Sequence, residues 1–148
     1  MSYKKPKRNY AFVDGSYNPD TKVYGGGGVL VDQYGNRHLI FESGKNPRMA
    51  KLRNVAGEML GAQIIVEKAL ALGMKKLMIF HDYEGVANWV TGRWKCRKPE
   101  TQTYANRIHD IMRKGLKITF KHVKGHSGIL ENEEVDRLAK MVVGIFKK

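Results

Sequence analysis

The sequence predicts an α/β fold: a five-stranded mixed sheet, made of an antiparallel β-meander and then β-α-β units, flanked by helices. Three β-prone stretches joined by short turns come first, which is typical of a meander. Helix-like and strand-like patterns then alternate, as they do where crossover helices connect parallel strands. The predicted order of elements is therefore βββ-α-β-α-α-β-α.

The meander strands are short and separated by turn-forming residues. The first covers residues 10–13 and runs into Asp14-Gly15-Ser16, with a turn predicted over residues 17–20. The second covers residues 23–31 and contains four consecutive glycines. The third covers residues 37–42, after a turn over residues 33–36.

The later elements are distinguished by their apolar spacing. Apolar residues three or four apart predict a helix over residues 51–72, and Gly73 fits the position just after a helix end. The uninterrupted apolar run at residues 77–80 predicts a strand buried on both faces. We then expect helices over residues 84–90 and 101–114, a strand over residues 117–123 and a last helix over residues 130–146.

The length of 148 residues suits one domain. We expect residues 1–9 to form a basic flexible tail, either solvated or contacting substrate, and residues 10–148 to form a single domain. No apolar run approaches the roughly 20 residues of a membrane-spanning helix, and the N-terminal residues lack the apolar segment of a secretory signal. The single cysteine, Cys96, cannot form an internal disulfide. These features favour a cytoplasmic protein.

The charge balance points to a polyanionic partner. Lys and Arg number 27 and Asp and Glu number 14, so the formal net charge is +13. Nucleic acid is the commonest polyanion in a cell. General solubility is the alternative explanation.

Four acidic residues lie where a charge is costly to bury. Asp14 and Asp82 follow apolar strands, and Glu58 lies among apolar neighbours early in the long helix. Asp136 follows Val135 at the edge of the apolar stripe of the last helix. If the first and fourth strands are parallel neighbours, Asp14 and Asp82 lie side by side near one end of the sheet, where α/β folds tend to form sites.

Such a cluster repels itself unless cations are present, and oxygen ligands alone suit Mg²⁺ or Mn²⁺. Two such ions about 3.5–4 Å apart can clamp the attacking and leaving oxygens of a phosphodiester. Each acid also has a structural interpretation. Asp14 can open a turn, Glu58 can favour a helix N-terminus, and Asp82 can cap the next helix. Asp136 can belong to the surrounding acidic run.

The segments that contain these acids resemble the type 1 ribonuclease H family. They are residues 12–16 (FVDGS), 53–58 (RNVAGE), 79–82 (IFHD) and 122–128 (HVKGHSG), the last continuing as residues 131–139 (ENEEVDRLA). In this family a histidine in a VKGH loop precedes the fourth acid, and His126 and Asp136 keep the family's spacing. The resemblance runs from about Asn9 to Lys140.

The resemblance implies a ribonuclease H-like fold and a metal-dependent endonuclease that hydrolyses the RNA strand of RNA–DNA hybrids. It implies that Asp14, Glu58, Asp82 and Asp136 are catalytic metal ligands. They would hold two Mg²⁺ ions, with Mn²⁺ as a substitute, and His126 would assist proton transfer or product release. A two-metal mechanism leaves 5′-phosphate and 3′-hydroxyl ends. The implied partner is the hybrid rather than a membrane, and nothing requires more than a monomer.

Substrate contacts follow less directly from the resemblance. Asn18 and Asn54 lie near family positions that contact the minor groove of the hybrid, and Lys51 lies where some members place a phosphate-binding cation. Trp94 and Lys95 belong to a basic patch at residues 93–98, which can hold phosphates and stack on sugar. The asparagines also suit turns or caps, and the patch also suits a solvated loop with a core tryptophan.

The sequence departs from the family pattern at Tyr83-Glu84, where many members have Ser-Gln. The loop after the first acid and the region between Trp89 and Tyr104 are also shorter. These departures bear on the contacts with the hybrid and not on the metal site. Two other functions compete with hybrid cleavage. One is a nucleic-acid-binding module of this fold without catalysis, and the other is a strand transferase or DNA nuclease of the wider fold.

Overall fold

The computed structural model describes residues 8–124 and 130–145. The elements are β1 (Tyr10–Asn18), β2 (Val23–Val31), β3 (Arg37–Gly44), α1 (Pro47–Ala50), α2 (Asn54–Ala71), β4 (Lys76–His81), α3 (Gly85–Thr91), α4 (Pro99–Arg113), β5 (Lys117–His122) and α5 (Leu130–Val142). The predicted order is confirmed, with the short helix α1 added. No helix in the described ranges combines the length and hydropathy needed to cross a bilayer.

The strands form one sheet in the order β3-β2-β1-β4-β5. β1 pairs antiparallel with β2 and parallel with β4, and β4 pairs parallel with β5. The ladder between β1 and β4 ends where Val13 is opposite His81. Asp14 and Asp82 directly follow this last pair on the two strands, so both acids lie at the same end of the ladder. The prediction that the first and fourth strands are parallel neighbours is confirmed.

Helices cover both faces of the sheet. The main core lies between the sheet and helices α2, α3 and α4, with Met59, Ile65, Ile79, Tyr104 and Ile108 among its fully buried side chains. A smaller core on the other face packs Val135 of α5 against Phe12, Val29 and Val31. The mixed sheet flanked by helices is therefore the predicted architecture.

β1 is longer than the sequence predicts. Tyr17 and Asn18 pair with Tyr24 and Val23, so they continue the strand instead of opening a turn. The turn begins after Asn18, whose carbonyl accepts the N–H of Lys22 at 2.8 Å. Cross-strand pairing with β2 outweighs the local turn preference of the Asn-Pro sequence. Asp14 consequently lies inside the strand rather than after it.

α2 begins later than predicted. Pro47 starts the separate helix α1, which the side chain of Asn46 caps. Arg53 then has a φ of 56°, and the N–H of Val55 donates to the carbonyl of Leu52 at 3.1 Å, so residues 52–55 form a tight turn that separates the two helices. A non-glycine residue at positive φ is strained and is rarely anticipated from sequence.

Two other predictions had different outcomes. Gly73 ends α2 as predicted: its φ is 78°, and its N–H donates to the carbonyl of Leu70 at 2.9 Å. The prediction that β4 is buried on both faces is wrong, because Met78 and Phe80 are only half-buried. Their face of the sheet is covered by α5, which packs mainly over β1, β2 and β3.

The contact that positions the site is backbone against backbone, between α2 and the pair β1–β2. A Cβ added to Gly26 would lie 1.8 Å from the carbonyl oxygen of Gly57, and one added to Gly57 would lie 2.0 Å from that of Gly25. A Cβ added to Gly15 would lie 2.2 Å from the amide nitrogen of Glu58. Only glycine fits at these three positions. The first turns of α2 therefore lie directly on the strands.

We predict that Gly57→Ala destabilises the fold, although alanine is favoured over glycine in a helix by about 1 kcal/mol. The added methyl group must push α2 away from β2, and overpacking typically costs about 1–3 kcal/mol. Urea unfolding measures the loss, with Lys68→Ala on the exposed side of α2 as the control. A Gly57→Ala protein as stable as the control would contradict the close contact.

Candidate metal centre

Asp14 projects from the middle of β1 and is only 6% exposed. Its Oδ1 accepts the N–H of Gly15 at 2.8 Å. Because the strand is paired on both sides, with β2 and β4, the carboxylate is held on a rigid element. A site on such an element is more exactly positioned than a site on a loop.

Glu58 comes from the second turn of α2 and is 2% exposed. The glycine contact described above sets its position, since the neighbouring Gly57 touches β2 and its own amide nitrogen lies beside Gly15. Its Oε2 is buried without a hydrogen-bond partner. Buried polar atoms are nearly always satisfied, so an unpartnered carboxylate oxygen calls for a cation or a solvent molecule.

Asp82 follows β4 and is half-buried. The backbone around it is tied to β5: its carbonyl accepts a hydrogen bond from Nε2 of His122 at 2.8 Å, and the carbonyl of His81 accepts the N–H of Val123 at 2.8 Å. The loop that contains Asp82 is therefore fixed by contacts that the sequence did not reveal.

Ligand oxygens of Asp14, Glu58 and Asp82 all lie within 4.8 Å of one another. Asp136, on α5, lies close enough to Asp14 to interact with its carboxylate, and it also pairs with Lys140 at 3.0 Å. The structure thus brings three of the four predicted acids into one cluster and places the fourth at its edge, where a lysine partly neutralises it.

The cluster cannot hold its full negative charge easily. Burial raises the pKa of Asp14 to about 7, and the charge of Asp82 adds to the effect. Burial also raises the pKa of Glu58 well above its ordinary value, and the charge of Asp14 is the next cause. A divalent cation would reverse both effects by favouring the ionised carboxylates. Three oxygen donors and one unpartnered oxygen fit a hard cation such as Mg²⁺.

The structure describes the other predicted site residues to different extents. His126 is outside the described residues. Both polar atoms of the Asn18 side chain are engaged within the protein: Nδ2 donates to the carbonyl of Val143 at 2.9 Å, and Oδ1 accepts the N–H of Asp20 at 3.0 Å. Asn54 and Lys51 are exposed, Asn54 at the first residue of α2 and Lys51 in the turn after α1. Their contacts with substrate stay predictions.

The basic patch at residues 93–98 lies after α3. Trp94 is 36% exposed and rests edge-on against Trp89, with ring centroids 5.6 Å apart. It also meets the ring of Tyr83. Lys95 is exposed beside it. Trp94 is therefore neither a core residue nor a freely solvated one, and its outer side is open to a ligand.

Sequence reasoning missed two contacts, one at the loop of Asp82 and one just before α2. His122 holds the loop of Asp82, and its position opposite His81 in the β4–β5 ladder could have been inferred from the strand register alone. The guanidinium of Arg53 lies 5.1 Å from the ring centroid of Tyr17, a cation–π contact that joins the strained turn to the end of β1. No local pattern indicates this contact.

Fold and acidic cluster together define a protein of the ribonuclease H fold with a candidate metal centre. The family model described as "Reverse transcriptase-like" matches residues 12–142. Ribonuclease H of Roseobacter denitrificans is 30% identical over 155 residues, which covers 93% of this chain and 97% of that protein. The chain belongs to the ribonuclease H family.

Other relatives match only part of their own length or are more distant in sequence. Ribonuclease H1 of Rattus norvegicus is 34% identical over 98 residues, and the match spans 59% of this chain but 34% of the rat protein. RNase H1 of Halobacterium salinarum superposes with a TM-score of 0.75 at 21% identity, over 92% of this chain and 97% of that one. The N-terminal RNase H domain of a Mycobacterium tuberculosis protein gives 0.70 at 18% identity, over 91% and 94%.

We predict that the metal-free protein loses stability as the pH rises from about 4 through about 7. The pKa of Asp14 and that of Glu58 are raised in the folded state, so the folded chain keeps protons that the unfolded chain releases. The loss at pH 8 relative to pH 5 is on the order of 2 kcal/mol or more.

Urea unfolding in EDTA at both pH values measures this loss, and Asp14→Asn should reduce it. His81 acts in the opposite direction because burial lowers its pKa, so the comparison with Asp14→Asn isolates the acids. Equal pH dependence in the two proteins would show that Asp14 does not have a raised pKa in the folded protein.

Proposed function

We propose that this chain is a metal-dependent endonuclease that hydrolyses the RNA strand of RNA–DNA hybrids and leaves 5′-phosphate and 3′-hydroxyl ends. The single observation that carries this proposal is the convergence of Asp14, Glu58 and Asp82 within 4.8 Å in a chain of the ribonuclease H family. Three mutually repelling carboxylates, two of them buried, are costly for the fold and are explained by cations bound between them.

Asp14, Glu58 and Asp82 would hold the metal, with Asp136 completing the set. Two Mg²⁺ ions, or Mn²⁺ in their place, would activate the attacking water and stabilise the leaving oxygen when bound. The chain itself provides the rigid arrangement: β1 fixes Asp14, α2 fixes Glu58, and the contact of His122 fixes the backbone of Asp82. Such pre-organisation avoids the cost of reordering ligands at the moment of reaction.

Asp136 and His126 have a different part in this proposal. Asp136 is half-buried and paired with Lys140, which is itself partly exposed. If the carboxylate of Asp136 turned toward the cluster, the charge of Lys140 would therefore remain in contact with solvent. His126 would receive or release a proton at its imidazole, or assist departure of the product. The glycines on both sides of its segment, Gly125 and Gly128, suit a group that must move.

The substrate would be held mainly through its phosphates. Lys51, Lys95 and the ring of Trp94 would contact the backbone, while Asn18 and Asn54 would face the minor groove. Only the RNA strand carries 2′-hydroxyls, which distinguishes it from the DNA strand of a hybrid. The net charge of +13 supports binding that weakens as salt is added.

We further propose a monomer that acts in the cytoplasm and has a single domain at residues 10–148. Most of the predicted basic tail, residues 1–7, lies outside the described residues. The length and the single cysteine support this organisation. Light scattering of the purified protein gives the oligomeric state.

We predict that Asp14→Asn lowers hybrid cleavage in Mg²⁺ by more than about 100-fold, because it removes a buried ligand charge. The assay compares labelled RNA–DNA hybrid, duplex DNA and duplex RNA. The matched control is Asp110→Asn, an exposed acid on α4 that pairs with Arg113. Mg²⁺ should also raise the melting temperature of the wild type but not that of Asp14→Asn.

Undiminished cleavage by Asp14→Asn would contradict the assignment of this ligand. Binding of the hybrid without cleavage by the wild type would favour a binding module. Preferential cleavage of duplex DNA would favour a DNA nuclease of the same fold.

We predict that His126→Ala slows turnover by about 10- to 100-fold, less than loss of a metal ligand, because proton transfer to solvent remains possible. The midpoint of Mg²⁺ activation should not move, since the imidazole is not proposed as a ligand. Single-turnover and steady-state rates on the hybrid separate an effect on chemistry from one on product release. An unchanged rate in both would remove His126 from the mechanism.

A further inference from the structure

A second basic surface lies at the end of the sheet opposite the acidic cluster. It is a groove of about 860 Å³ that we call the distal groove. Its charged and aromatic lining consists of four cations, one acid and two rings: Arg8, Lys75, Lys76, Lys117, Asp32, Tyr34 and His38. Strands rise about 3.3 Å per residue, so Lys76 at the start of β4 is roughly 20 Å from Asp82 beyond its end. The groove is therefore separate from the candidate metal centre.

Three lysines of the distal groove are held close together by the backbone. Lys76 and Lys117 are partners in the parallel β4–β5 ladder, and the N–H of Lys117 donates to the carbonyl of Lys75 at 2.9 Å. In the described part of the chain, none of the three has a carboxylate within ion-pair distance. Like charges on adjacent strands weaken a sheet. The charges of these lysines therefore do not stabilise the sheet.

The acid that lines the groove, Asp32, forms no ion pair with the lysines. The carboxylate of Asp32 accepts hydrogen bonds from the backbone N–H groups of Tyr34 and Asn36 and from the side-chain amide of Asn36, each with a nitrogen–oxygen distance of 2.9 Å. Its carboxylate therefore shapes the turn between β2 and β3. Against this one acid the groove presents four cations, Arg8 and the three lysines.

The turn shaped by Asp32 presents an aromatic ring. Tyr34 is 80% exposed, the largest exposure among the large hydrophobic side chains described. The groove includes residues from both faces of the sheet, since Leu77 belongs to the main core and Met78 lies on the opposite face. It therefore reaches over the end of the sheet, where β4 begins.

We propose that the distal groove binds single-stranded nucleic acid. Its cations would contact successive phosphates while a base stacks on Tyr34, the combination by which proteins hold single strands without sequence preference. A groove that reaches over the end of a sheet accepts a flexible strand more easily than a duplex, whose persistence length is about 50 nm. The contact would hold a single-stranded extension of a nucleic acid at a distance from the acidic cluster.

Binding of a fluorescein-labelled oligo-dT of about 16 nucleotides, followed by anisotropy in EDTA, tests this site. We expect Lys76→Ala/Lys117→Ala to weaken binding on the order of tenfold and to reduce the salt slope by about 1.4, or about 0.7 for each cation removed. Tyr34→Ala should weaken binding by a similar factor without changing the slope. The control Arg107→Ala/Lys114→Ala removes the same charge from a small depression between α2 and α4 and should stay within about twofold of wild type.

Amide NMR shifts during the same titration locate the binding. Shifts at residues 32–38, 75–78 and 117–119 are expected. Equal losses in the groove and control variants, an unaffected Tyr34→Ala, or shifts confined to residues 93–98 would overturn the proposal. So would tighter groove binding of a blunt duplex than of oligo-dT. Because the titration is run in EDTA and measures no cleavage, its outcome is independent of the proposed nuclease activity.

Discussion

The direct contact between the glycines of α2 and those of β1 and β2 is the constraint on which the acidic cluster depends. Without Cβ atoms at Gly15, Gly26 and Gly57, helix and strands meet through their backbones, and no flexible side chain lies between them. The position of Glu58 relative to Asp14 is therefore set by peptide groups, which cannot adjust as side chains do. Only the adjacent strand β4 and its tie to β5 are then needed to bring Asp82 to the same point.

This arrangement opposes the local preferences of its own sequence. Glycine is unfavourable within a helix or a strand, and burial makes the charges of Asp14 and Glu58 unfavourable as well. Arg53 adds a strained backbone just before α2. Proteins keep such conflicts mainly at functional sites, where geometry matters more than stability. Their concentration within a few residues of one another is independent support for a site at this end of the sheet.

Much of this could be predicted from the sequence, because the signals were local. β-prone stretches between turn residues identified the three meander strands. Apolar patterns identified β4, β5 and the long helices, and the buried acids followed from their apolar neighbours. The predictions that were wrong or missing depend on interactions between segments that are far apart in the sequence. The length of β1 depends on pairing with β2, and the exposure of Met78 depends on where α5 lies. The contact of His122 with Asp82 and the cluster of lysines at the distal groove required the strand register. Their sequence appearance was that of ordinary solvated residues.

The outer position of β5 has a consequence for the behaviour of the protein in concentrated solution. An unpaired strand edge is a template for addition of another chain, the first step toward ordered aggregates. Lys117 and Lys121 are both exposed and lie on the same face of β5. A second copy that aligned with this edge would therefore bring like charges together. Cationic side chains on this outer strand of the described sheet therefore oppose the addition of a further strand.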